Sequence, residues 1–157
     1  MSLFPRSPQG VPTPYLHEGP GWQLDPVKDL EVFFANLVRL VPEGATLCLA
    51  EAAWSQEGRD FIRNRGHRPD SVPLPNEFRG EPCFGLSPEV LHHLAELASR
   101  HASPELGIHC AVFTSAEAIV EWYDLPGDPI SVSSSISEER VAGFARACGV
   151  EYRWRSQ

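Results

Sequence analysis

The chain has 157 residues, 42% of them apolar and including eight Phe and four Trp, which suits one domain built on one hydrophobic core. Its formal net charge of −8 argues against general nucleic-acid binding, which requires a basic face, and fits a soluble protein that repels its own kind or one that meets a partner with a basic surface. No stretch approaches the ~20 consecutive apolar residues of a membrane span.

Four cysteines stand at positions 48, 83, 110 and 148, with no C-x-x-C unit among them. Cys48 and Cys110 fall in apolar strand-like runs and Cys148 on an apolar helix face, the pattern of buried free thiols in a reducing compartment. The opening M-S-L-F-P-R-S-P lacks the apolar core of a signal peptide. A cytoplasmic location is therefore expected.

Residues 1–24 hold five prolines and three glycines, which argues against helix and central strand alike. They read as an extended arm, leaving 25–157 as a single α/β domain. Asp25-Pro26 is expected to open a helix whose buried face is Val27, Leu30, Phe33, Phe34, Leu37 and Val38. Ala45 to Ala52 reads as a strand with Leu47 and Leu49 on one face. Ser55 caps a short arginine-bearing helix to Arg65. Four prolines between 69 and 82 then mark a loop or edge passage, with a short strand near 82–86.

Ser87-Pro88 opens the next helix, running to about His101, with Leu91, Leu94, Ala95 and Ala98 inward. Strands over 107–113 and 118–123 form a hairpin. An even loop would pair Val112 with Ile119 and His109 with Trp122, so that His109 shares a face with Trp122. A third strand follows at 129–133. The last helix starts near Ser135 or Ser137, carries Val141, Phe144 and Ala145 inward, and ends at Gly149. A final short strand spans 150–154 at a sheet edge. These elements predict a two-layer α/β sandwich: a mixed sheet, centred on an antiparallel meander over 107–133, packed by three main helices. The arm and the arginine-bearing helix are expected on the other sheet face.

Common catalytic and nucleotide-binding signatures are missing: there is no G-x-S-x-G, Walker A, G-x-G-x-x-G or H-E-x-x-H. The sharpest constellation is His101, Glu105, His109, Asp124 and Asp128 around the end of the hairpin. A carboxyl group beside an imidazole can pass protons, which makes His109, Glu105 and Asp124 candidate catalytic residues. His101, Trp122, Tyr123 and Asp128 are candidate binding residues. The same aspartates also suit plain turn-capping around Pro126-Gly127. No cofactor or metal is called for by any spacing.

S-R-H-A-S-P-E-L-G-I-H-C-A-V-F at 99–113 and E-W-Y-D-L-P-G-D-P-I-S-V at 121–132, with the closing S-E-E-R-V-A-G-F-A, resemble a family of small, uncharacterised bacterial proteins. That family has a helix ending in His-Ala-x-Pro-Glu, a strand entered by His, and a Trp-Tyr-Asp triplet before Asp-Pro. This chain departs from it by Leu-Pro-Gly between Asp124 and Asp128 and by its longer arm. The resemblance implies a bacterial cytosolic protein and carries over no catalytic residue.

Two functions follow as expectations. One is a non-catalytic interaction protein, of accessory or immunity type, anchored by Trp54, Trp122 and Tyr123. The other is a small hydrolase or metal-dependent enzyme using the His/carboxylate residues at the hairpin end.

Overall fold

The computed structural model describes residues 16–50, 55–65, 74–75, 78, 80–100, 109–115, 117–123 and 128–156. Seven strands form one sheet: β1 (Gly21–Leu24), β2 (Thr46–Ala50), β3 (Cys83–Gly85), β4 (His109–Phe113), β5 (Ala118–Tyr123), β6 (Ile130–Ser133) and β7 (Tyr152–Arg155), in the order β3-β2-β4-β5-β6-β1-β7. The helices are α1 (Leu30–Asn36), α2 (Gln56–Arg65), α3 (Pro88–Arg100) and α4 (Glu138–Cys148). The two-layer α/β architecture and the central β4-β5-β6 meander match the sequence reading. Every pairing among the described strands is antiparallel, however, where a mixed sheet was expected.

Local chemistry sets the helix ends. The Ser87 hydroxyl accepts from the Val90 amide (3.2 Å) and Ser55 from Gly58 (3.2 Å), as N-caps do. Ser137, not Ser135, caps α4, and Gly149 closes it in the left-handed region at φ 68°. α1 begins four residues later than Asp25-Pro26 predicts. Asp29 is its cap, accepting from the amides of Glu31 and Val32. Asp25 instead binds Arg153 (3.1 Å), because the chain is still leaving the sheet there. Leu37–Arg39 tightens into a 3-10 turn, which breaks the 3.6-residue period and turns Val38 outward to 48% exposure.

The principal core lies between one sheet face and the helices. Leu47, Leu49, Phe84, Cys110, Val112, Val120, Trp122, Ile130 and Val132 meet Phe33, Phe34, Leu91, Leu94, Val141 and Phe144. α1 packs between α3 and α4. α2 lies beside α3 on this same side, with its Phe61 against Phe84 (5.0 Å between centroids), not on the far face as expected.

The opposite sheet face has two halves. One is a small apolar core of Cys48, Ala50, Phe78, Cys83, Ala111, Phe113 and Ala118. The other is polar, and the 3-10 turn Leu16–Glu18 lies against its strands β5 and β6.

Residues 21–24, read as part of an extended arm outside the domain, form β1 inside the sheet between β6 and β7. Gly21 looked like a strand breaker. A Cβ at that position would stand 2.5 Å from the Val132 carbonyl oxygen, so glycine is what permits the close pairing with Ser133.

The hairpin register also differs. Phe113 pairs with Ala118, but Val112 pairs with Val120, so Ile119 is an extra residue in a β-bulge. From there on the register moves by one. His109 faces Tyr123 and Cys110 faces Trp122, which sends His109 and Trp122 to opposite faces of the sheet.

Candidate functional site

The register change sets the surroundings of His109. Its strand neighbours on the far face are Ala111 and Phe113, and across β5 that face carries Glu121 and Tyr123. The Tyr123 ring stacks on the His109 imidazole at 4.1 Å and 11°, and Phe78 covers it at 4.9 Å. Nε2 of His109 lies 3.2 Å from Oε2 of Glu121.

Glu121 is the central group. It is 1% exposed, and its other oxygen lies 2.8 Å from Nδ1 of His17. The carboxyl therefore sits between two imidazoles, one from the hairpin and one from the 3-10 turn. The His17 side chain is 45% exposed, and its ring also meets Tyr123 edge-on at 5.8 Å. If both nitrogens donate to Glu121, the carboxylate can take both bonds without a proton of its own.

Arg155 of β7 completes the cluster. It donates to the carbonyls of Gly19 (2.9 Å) and Leu16 and approaches the Ser131 hydroxyl (3.5 Å). Burial pulls its pKa below the usual guanidinium value, and the charge of Glu121 opposes that shift. Glu121 and Arg155 thus fasten the segment 16–19 across the sheet. Among the described residues, no three His, Cys, Asp or Glu side chains converge as a metal-ligand set.

Of the expected site residues, the structure brings His109 and Tyr123 together. Trp122 is only 2% exposed and packs edge-on against Phe33 (4.8 Å) and Phe34 (6.4 Å), so it anchors the core and offers no interface. Asp128 is exposed just before β6. His101, Glu105, Asp124 and Trp54 lie outside the described residues. Glu121 and His17 were both missed. The available signal was a single carboxylate inside the apolar run A-I-V-E-W-Y, since a strand covered on both faces must give such a group a partner.

A second feature lies at the sheet edge. Among the described residues, no strand pairs with the outer side of β7. Trp154 is 48% exposed there and rests edge-on against Trp22 (4.8 Å), whose own ring also meets Tyr152 (6.0 Å). The indole of Trp22 donates to the Ile136 carbonyl (3.0 Å), which holds the aromatic cluster to the start of α4. Tyr152 donates its hydroxyl to Glu138 (3.1 Å), and Glu138, Glu139 and Glu151 are exposed beside it. That carboxylate raises the pKa of the Tyr152 hydroxyl.

A cleft of about 470 Å³ between α2 and α3 is floored by Phe61, His93 and Leu97 and bordered by the ion pairs Arg65–Glu89 and Arg100–Glu57. None of the expected site residues lines it. Compared with known proteins, the chain matches no family model, no curated protein and no solved structure.

Proposed function

We propose that this is a non-catalytic interaction protein, bacterial and cytosolic, which binds a partner with a basic surface through the β7 edge. The observation that carries this reading is Trp154, a half-exposed indole on β7, whose outer side pairs with no strand among the described residues. Such an edge offers main-chain donors and acceptors to an added strand, and a fixed aromatic side chain supplies the apolar anchor. The three exposed glutamates beside it, on a chain of net charge −8, favour a basic partner segment. Asp25 neutralises Arg153, and the three glutamates outnumber the exposed Arg146 that also acts on Tyr152.

The test is a photo-crosslinking amino acid placed at position 154 in the protein's own host, with position 38 as the exposed apolar control. One discrete adduct from position 154, weakened by Glu138→Lys/Glu139→Lys, is the expected result. Identical adducts from both positions would sink the proposal.

A second reading rests on the half-exposed His17 backed by buried Glu121. A buried carboxyl that orients an imidazole is the arrangement of a general base, and hydrolysis is the reaction class it suits. Here the check is turnover across a panel of ester, amide and phosphoester substrates. Activity lost in His17→Ala but kept in Trp154→Ala supports it, and no turnover by the unaltered protein removes it.

A further inference from the structure

We propose that Cys48 and Cys83 are a disulfide-forming pair that reversibly staples the edge strand β3 to β2. The two residues are direct cross-strand partners. Their Sγ atoms lie 2.8 Å apart, and both side chains are buried in the small apolar core beside Phe78 and Ala111.

The backbone pattern identifies the kind of pair. The Leu49 amide bonds to the Pro82 carbonyl (3.0 Å) and the Leu86 amide to the Ala45 carbonyl (2.7 Å). These mark 49/82 and 45/86 as hydrogen-bonded pairs. Antiparallel ladders alternate, so 48/83 is a non-hydrogen-bonded pair, where Cα atoms stand at ~4.5 Å and side chains come closest. That spacing lies at the short end of the ~4.4–6.8 Å over which a disulfide closes without backbone movement.

The other thiols do not compete. Cys110 lies on the helix-side face of the sheet, in the other core, and Cys148 lies on α4. Cys83 stands on β3, the outermost of the described strands on this side, and donates to the Glu81 carbonyl (3.5 Å), whereas Cys48 is one strand further in. Cys83 is therefore the sulfur that an oxidant reaches first. The hydrogen bond with Cys83 and burial both push the Cys48 thiol pKa up. Because both sulfurs are buried in an apolar core, the oxidant that reaches them is small and neutral, and a hydroperoxide is the class that fits.

The chemistry balances. The Cys83 sulfur attacks the peroxide O–O bond, taking one oxygen as a sulfenic acid and releasing water or an alcohol. The Cys48 sulfur then displaces that hydroxyl, the S–S bond forms, and a second oxygen leaves as water. Two electrons pass from the thiols to the peroxide, and both thiol protons end in the released products.

The experiment exposes the folded full chain to hydrogen peroxide, then blocks remaining thiols and maps the peptides. The expected result is a loss of two hydrogen masses, a peptide linking Cys48 to Cys83, and reversal by dithiothreitol. Cys110→Ser should still form the link. Cys48→Ser should halt at a sulfenic acid that dimedone captures on Cys83. The linked protein should unfold roughly 5–10 °C higher than the reduced one, because the bridge closes a loop across 35 positions. Recovery of both thiols free, a link through Cys110 or Cys148, or an unchanged unfolding temperature of the linked protein overturns the proposal. The wild-type and Cys110→Ser maps decide the pairing even if Cys48→Ser does not fold.

Discussion

The buried Glu121 carboxyl lies between two imidazoles, its oxygens 2.8 Å from Nδ1 of His17 and 3.2 Å from Nε2 of His109. A buried donor left without its acceptor costs about 1–3 kcal/mol. Glu121→Ala strips the buried His109 of its partner and is expected to cost at least that in chemical denaturation, with a further loss for the space left empty. His17→Ala removes a half-exposed partner and should cost less. The two residues share one bond, so the double variant should depart from the sum by ~0.5 kcal/mol or more. Simple additivity would mean that the bond does not hold the segment at residues 16–19 to the sheet. The sequence offered half of this. His109 stands out at the start of a strand, but the other imidazole on Glu121, His17, is 104 positions from that carboxyl, a separation that spacing cannot reveal.

Elements with their own punctuation were legible. Ser87-Pro88 starts α3 and Gly149 ends α4 where cap chemistry places them. Leu47 and Leu49 alternate onto the helix side as a strand requires. Elements whose logic is tertiary were not legible. The bulge at Ile119 has no local signal, yet it puts His109 and Trp122 on opposite faces. β1 was hidden because Gly21 serves a close backbone approach, a purpose visible only once Val132 is in place. Gly21→Ala forces a Cβ against that carbonyl oxygen, so it should destabilise the protein by about 1–3 kcal/mol, the usual scale of overpacking. Urea midpoints of Gly21→Ala and Gly143→Ala make the comparison, since a Cβ added at Gly143 would enter open space on a helix, where alanine is favoured. Equal midpoints would remove the argument for Gly21.

Across the whole molecule, buried thiols tie stability to alkaline pH. Burial holds the Cys148 pKa up to about 11 against a usual 9.0, and burial pushes Cys110 up as well. Above pH ~9 the unfolded chain releases thiol protons that the folded chain keeps, so stability falls as pH rises. The contribution of Cys148 is whole below about pH 9 and is lost as pH rises toward 11. Denaturation midpoints measured from pH 8 to 11 should decline, and Cys148→Ser should flatten part of that decline. The strand order carries a consequence of a different kind. Of the described strands β1 is synthesised first, whereas its neighbours β6 and β7 come last. Trp22 must therefore wait, unpaired, until Val132 and Trp154 have been made. The sheet cannot be completed in halves during synthesis, and the early chain spends that interval with an aromatic strand open to whatever can hold it.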